Sequence, residues 1–201
     1  RLSQNVLTCP TARVFNRLED DNYFRVGKKI AYFGDGYQFK SERFGGEMWV
    51  IPIMGGEFEL SSRFGFREGV MGGNLWFMGE SVDVAITAAR KAAVAADEMP
   101  GVVTTFPGGV ASSASKAGST YKFLIASTYE QYCPTLRNEL GDQSGVPLGV
   151  NSIMEIILNG ESLEAVANAT YTALEAAKST PGLKLITAGN YSGRLGKSFI
   201  Y

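Results

Sequence analysis

Histidine is absent from all 201 residues. A Ser-His-Asp triad, a Cys-His pair and a histidine-based metal site are therefore excluded from this stretch of chain. Proton transfer must fall to a carboxylate, a lysine, a tyrosine, a cysteine or a part of the protein outside it. Cysteine is scarce: Cys9 and Cys133 are too few for a disulfide framework, which points to a reducing compartment and, by default, the cytoplasm. Each opens a Cys-Pro-Thr-x-Arg run, an echo that fits no wider spacing and is treated as coincidence. Charge of either sign is not in excess; a net charge of −1 gives no electrostatic reason to expect nucleic acid or an anionic membrane as partner. No apolar run approaches a membrane span and no signal peptide is visible. What is plentiful is apolar residues, 45% of the chain, enough to bury one large or two small cores.

One unit occurs twice. The first copy, 74–116, reads as a strand through Leu75 to Met78, then Gly79-Glu80-Ser81, an alanine-rich helix, Pro100-Gly101, a strand over 102–106 and a Gly/Ser-rich loop. The second, 155–197, repeats that order with Gly160-Glu161-Ser162, Pro181-Gly182 and a strand over 183–187. Gly79 and Gly160, Pro100 and Pro181, Gly108 and Gly189, and Lys116 and Lys197 all stand 81 residues apart. The matching alanines, 88 with 169 and 92 with 173 among them, carry less weight in so alanine-rich a window. Serine at the N-cap and an acid in the first turn (Asp83, Glu164) suit the positive start of each helix. Periodicity assigns Val82, Ala85, Ile86, Ala89, Ala93 and Ala96 to the buried face of the first, and Leu163, Val166, Ala167, Thr170, Leu174 and Ala177 to that of the second. Two strand–helix–strand units pairing with each other predict an α+β fold of ferredoxin-like split βαβ topology. Helices cover one sheet face and leave the other free for a ligand, a subunit or a second lobe.

Upstream, 11–18 reads as a short helix, 30–33 as a strand, and 48–52 with 58–60 as a hairpin around Gly55-Gly56, with Glu57 and Glu59 pointing outward. A lobe boundary is placed between a proximal remainder, 1–68, and a C-terminal ferredoxin-like lobe, 69–201. The segment 107–151, rich in Gly, Ser, Thr and Pro, is too long for a bare connection, and its tyrosines argue for an ordered functional loop.

Glu155 is the sharpest candidate. Alternation through 153–158 puts Met154, Ile156 and Leu158 on one face and Ile153, Glu155 and Ile157 on the other. If the first set packs under the helices, the carboxylate emerges among isoleucines on the helix-free face, where burial raises its pKa as a general acid requires. A half-exposed strand residue is the competing reading. Asn74 holds the equivalent place in the first copy. The stretch Phe106-Pro107-Gly108-Gly109 through Ser112, Ser113 and Lys116 offers amides, hydroxyls and a cation for a carbonyl-bearing or anionic substrate, against the plainer reading of a flexible turn. A phosphate-cradling loop at 193–198 is rejected, because Tyr191 stands where its spacing needs glycine.

Taken together, the blocks Tyr32-Phe33-Gly34-Asp35-Gly36-Tyr37, Gly72-Gly73-Asn74, Phe106-Pro107-Gly108-Gly109, Ala114-Ser115-Lys116, Tyr132-Cys133-Pro134-Thr135 and Ala188-Gly189-Asn190 resemble the formylmethanofuran:tetrahydromethanopterin formyltransferases, in family order along nearly the whole chain. The resemblance implies an N-formyltransferase of one-carbon metabolism with two α/β lobes. It would move a formyl group between methanofuran and N5 of tetrahydromethanopterin, both acting as co-substrates with no bound cofactor. It implies homo-oligomers, or a hetero-complex with hydrolase subunits as in methylotrophic bacteria, and places the family's acid/base glutamate at Glu155. Tyr132, Cys133 and Asn190 join the loop residues as substrate-binding positions. The family has a further N-terminal stretch and a short C-terminal tail, so the chain is expected to be truncated. The rival expectation is a non-catalytic ferredoxin-like ligand-binding or scaffolding subunit of a formyltransferase/hydrolase complex.

Overall fold

The structure is a computed structural model that describes residues 2–112 and 115–189, together with 198 and 200. It divides into two compact units, Arg1–Glu68 and Gly69–Tyr201.

In the first unit, β1 (Arg13–Val14), β5 (Gly56–Ser61), β4 (Gly46–Ile53) and β3 (Phe39–Arg43) lie side by side in that order, β1 parallel to β5 and the rest antiparallel. A separate short pair joins β2 (Tyr23–Phe24) to β6 (Phe64–Gly65). Helix α1 (Val26–Ala31) continues into a single 3-10 turn, Tyr32–Gly34, and Ala31 packs with Leu7, Ile51, Phe58 and Leu60 in the core. The hairpin at Gly55-Gly56 forms as its sequence dictates. Two neighbouring readings do not survive. Residues 30–33 end a helix rather than forming a strand, because a short apolar run has no periodicity to separate the two. Residues 11–18 hold the two-residue strand β1 instead of a helix. Glu57 is exposed as expected, but Glu59 is 4% exposed, covered on its face of the sheet by Arg13 and Arg43.

The second unit carries the duplication. It runs β7 (Val70–Gly79), α2 (Val82–Asp97), β8 (Val102–Thr104), then the small hairpin β9 (Ser115–Ala117) and β10 (Ala126–Thr128), helix α3 (Arg137–Leu140), β11 (Ser152–Gly160), α4 (Leu163–Ala177) and β12 (Leu183–Ala188). The main sheet has the order β12-β7-β11-β8 with every neighbour antiparallel, so the two strands of each βαβ unit are parallel and split by a strand of the other. Leu75 pairs with Ile156, its own equivalent 81 residues on. The local twofold relating the copies therefore passes through that pair.

The repeated dipeptides are reciprocal struts. Glu80 N–H donates to Gly182 O at 3.1 Å, and Glu161 N–H to Gly101 O at 2.8 Å. Gly101 and Gly182 have φ of 72° and 83°, and a Cβ on either would strike the glutamate side chain of the other copy, Glu161 and Glu80 respectively. Ser81 and Ser162 cap their helices by accepting from Val84 N–H and Ala165 N–H.

Periodicity located the buried faces in part: Ala85, Ala89, Ala93 and Ala96 of α2 and Val166, Thr170 and Ala177 of α4 are buried as expected. Ala88 and Ala92 of α2 and Ala169 and Ala173 of α4, which it left out, are fully buried too, whereas Val82 and Leu163 are 53% and 40% exposed. The discounted alanine identities are thus the packing stripe: small side chains let α2 and α4 lie close to each other and to Leu75, Phe77, Met154, Ile156 and Leu158. The opposite sheet face is not bare. Part of the chain's own long connection lies on it, with Tyr129, Tyr132, Val146 and Val150 packed on Trp76, Met78 and Ile153.

Candidate active site

The site sits beside the twofold, on the face turned away from the helices. Strand alternation sends Met154, Ile156 and Leu158 into the helix-covered core, and Glu155 to the other side. There Glu155 is 5% exposed. Across the strand pair its partner is Trp76, whose Nε1–H donates to Glu155 Oε1 at 3.0 Å. Asn74, the repeat equivalent of Glu155, donates from Nδ2 to the same Oε1 at 2.5 Å. No lysine or arginine among the described residues pairs with the carboxylate. Burial pushes the Glu155 carboxyl above its ordinary value, opposed by the Trp76 indole N–H.

Backbone bonds tie the loop after β8 to this residue. Ala111 N–H donates to Glu155 O and Glu155 N–H to Ala111 O, both at 2.8 Å. The loop opens at Phe106, half-exposed with φ 70° and ψ 155°, a conformation rare for any residue with a side chain. Pro107 then starts a single 3-10 turn, Pro107–Gly109. The two glycines part company here. Gly108, φ 71°, has open space around it. Gly109 is buried, its amide donates to Phe106 O at 3.1 Å, and a Cβ would come within 2.6 Å of that of Ala93. Gly109 therefore shapes the turn and packs on α2, and its amide is not free for a ligand. Ser112 is exposed; Ser113 lies outside the described residues, as do Asn190, Lys197 and nearly all of the 193–198 stretch.

Of the remaining candidates, Tyr132 reaches the site face, its ring edge-on to Trp76 with centroids 4.7 Å apart. Tyr129 packs on both rings. Cys133 Sγ sits 3.4 Å from Thr128 Oγ1 and 3.5 Å from Tyr129 O, inside its own turn. Lys116 is ion-paired with Glu130, whose carboxyl it holds below the ordinary value, so its charge is answered within the chain.

Sequence reasoning missed Trp76 as a functional residue and treated Asn74 only as the diverged copy of Glu155. The signal was present: antiparallel pairing of the two copies about a twofold brings equivalent positions near the axis together. Gly189, matched to Gly108 in the repeat, also has a local reason. A Cβ there would lie 2.3 Å from Trp76 Nε1, so only glycine leaves the indole its place.

The site thus joins a buried carboxyl with neutral side-chain donors to the loop that carries an open glycine turn, through the backbone of Ala111. Comparison with known proteins gives the particular family. Residues 56–201 match the family model described as "FTR, proximal lobe", and residues 1–53 match that of formylmethanofuran-tetrahydromethanopterin formyltransferase. The formyltransferase of Methanocaldococcus jannaschii is 45% identical over 98% of this chain and 67% of its own, and that of Archaeoglobus fulgidus 42% identical over 100% and 68%. Among solved structures, the formyltransferase of Methanosarcina barkeri superposes with a TM-score of 0.75 at 39% identity, covering 98% of this chain and 67% of that one. A chain of the formyltransferase/hydrolase complex of Methylorubrum extorquens, solved with methylofuran, gives 0.73 at 34% identity, covering 98% and 66%. The chain belongs to the formylmethanofuran–tetrahydromethanopterin formyltransferase family and spans about two-thirds of the length of these relatives. The proximal-lobe label falls on the C-terminal part, not on 1–68 where the sequence reading had put it.

Proposed function

We propose that this chain carries formyl transfer between formylmethanofuran and N5 of tetrahydromethanopterin, with Glu155 as the acid/base group. The observation that carries the reading is the buried Glu155 carboxyl, raised in pKa and served, among the described residues, by the neutral side-chain donors Asn74 and Trp76, in a member of this family. The pterin N5 attacks the formamide carbon, a C–N bond forms, and the carbonyl oxygen becomes an oxyanion. The C–N bond to methanofuran then breaks as the departing amine takes the Glu155 proton. Glu155 is reprotonated by the hydrogen that N5 has lost. No electrons are exchanged, so both coenzymes act as co-substrates and no resident cofactor is assigned. Open donors of the loop, Gly108 and Ser112, stabilise the oxyanion, an effect typically worth about 3 kcal/mol per donor. Phe106, Pro107 and Tyr132 shape the rim. Lys116, Cys133 and Gly109 act through loop structure, and Ser113 and Asn190 keep their substrate-binding assignment on the family resemblance alone.

No described helix is long and apolar enough to cross a membrane. Likeness to a chain of a formyltransferase/hydrolase complex supports a hetero-complex with hydrolase subunits as the alternative to a homo-oligomer, and the cytoplasm is assigned on the family resemblance alone. A scaffold alone has no use for a buried, unpaired acid at this place. Formyl exchange between the two coenzymes is the test, with Gly108→Val and Gly109→Val as paired variants. Gly108→Val is expected to abolish turnover in a folded protein, because a side chain blocks backbone approach; Gly109→Val is expected to unfold the unit through Ala93. Absence of exchange in the wild-type enzyme, or full turnover in Gly108→Val, would sink this reading of chain and loop.

A further inference from the structure

Both donors to Glu155 meet one oxygen. Asn74 Nδ2 and Trp76 Nε1 converge on Oε1, and no side-chain donor among the described residues is placed on Oε2. The direction of these bonds is fixed by chemistry. An indole N–H can only donate. The Asn74 amide is oriented by a second acceptor, since Nδ2 also lies 3.3 Å from the carbonyl oxygen of Gly189, which can only accept. Turning the amide over would set its oxygen against the Gly189 carbonyl oxygen, which has no proton to offer. The amide is held from its backbone too, where Gly189 N–H donates to Asn74 O at 3.0 Å. The two in-plane lone pairs of Oε1 are therefore taken, and a proton placed there would point at two N–H hydrogens.

We propose that Asn74 and Trp76 form a one-sided clamp that makes Oε1 the carbonyl oxygen of protonated Glu155, so that the acid proton resides on, and is delivered from, Oε2. Asn74 and Trp76 are positioning residues, and Gly189 is the position that lets the clamp close, because a Cβ there would occupy the Trp76 indole nitrogen. The proposal rests on the acid/base reading of Glu155. It adds which oxygen carries the proton and which residues decide it. The twofold explains why the clamp exists on one side only. Asn74 and Glu155 are equivalent positions, so the donor of one copy serves the acid of the other. The titratable side chains packed on this cluster, among the described residues, are the phenols of Tyr129 and Tyr132, both against the Trp76 ring.

Asn74→Ala and Trp76→Phe in the intact enzyme, measured beside Glu155→Gln, test the clamp. Each removes one donor from Oε1. The infrared carbonyl band of the protonated acid, isolated as the difference between wild type and Glu155→Gln, is expected to move to higher frequency in both variants. The alkaline limb of the pH–rate profile is expected to move to higher pH, because donors that favour the carboxylate have been lost. With the carboxyl less firmly oriented, kcat is expected to fall about tenfold while KM changes little. If Trp76→Phe fails to fold, Asn74→Ala, at a half-buried site, decides alone. An unmoved band and an unmoved limb in the folded variants, with Glu155→Gln inactive, overturn the clamp and leave the acid/base reading standing. A fully active Glu155→Gln enzyme overturns the acid/base reading itself.

Discussion

Glu59 and Glu155 are 4% and 5% exposed to solvent, and each sits on an interior strand of its sheet, β5 between β1 and β4, and β11 between β7 and β8. Their pKa values move in opposite directions. Arg43 donates to Glu59 Oε1 at 2.5 Å and Arg13 holds Oε2, and these arginines keep its carboxyl below the ordinary value despite burial. Glu155 has an amide and an indole in their place, and burial carries it upward. Low solvent exposure therefore does not by itself set the direction of a carboxyl's shift. The surroundings do: the cations beside Glu59 outweigh its desolvation and favour the charged form, while desolvation outweighs the neutral donor to Glu155 and favours the protonated one.

The largest effect expected from this contrast is on catalysis. Glu155→Gln keeps size and hydrogen bonding but has no transferable proton, and kcat should fall on the order of 10²–10⁴-fold with KM nearly unchanged. Steady-state kinetics on the folded variant checks it; near-normal kcat with an intact pH profile would make Glu155 structural. The contrast can also be broken on purpose. Asn74→Lys gives Glu155 the kind of partner that Glu59 has, which should lower its pKa, move the alkaline limb to lower pH, and reduce kcat on the order of 10–100-fold at neutral pH. Retention of the original limb would show that burial, not the donor, governs the site.

The smallest effects are on stability, and they differ in pH dependence. Glu59→Gln should cost about 1–2 kcal/mol at neutral pH, less than for a fully buried pair because Arg13 and Arg43 remain partly open to water. The folded pKa of Glu59 is lowered, so its contribution is present above the unfolded value and is lost as pH falls through the folded one. Glu155 has a raised folded pKa, so its contribution is full below the unfolded value and is lost as pH rises through the folded one. Denaturation curves should show Glu59→Gln converging on wild type in acid. Glu155→Gln should gain on wild type as the pH is raised. Parallel curves at all pH values would remove the distinction.

Much of the C-terminal unit was legible because its markers have narrow physical jobs. Ser81 and Ser162 must cap, and Gly101 and Gly182 must take positive φ against a glutamate side chain, so few other residues serve and the repeat shows through. Glu155 was legible by alternation alone. The helix faces were legible only in part, because hydrophobicity ranks valine and leucine above alanine, while close helix packing selects for smallness at Ala88, Ala92, Ala169 and Ala173. Residues 30–33 misled for want of length. Glu59 misled because outward alternation says nothing about arginines returning over the same face. Trp76 and Gly189 belong to the site through pairing between β7, β11 and the end of β12, information that no single segment contains.

The pairing of Leu75 with Ile156 has a consequence for how such a site can arise. Were the half-unit to exist as a separate polypeptide and assemble as a symmetric dimer, the residue beside the axis would confront its own copy. A glutamate there would meet a glutamate at hydrogen-bonding distance, and an asparagine would meet an asparagine. Neither symmetric version offers one acid held by one amide. Joining both halves in a single chain frees the two positions to mutate apart, so that one gene segment supplies the acid and its sibling supplies the support. On this view the tandem duplication is itself a catalytic invention: it converts a symmetry axis, where chemistry is forced to be even-handed, into a place where donor and acid are told apart.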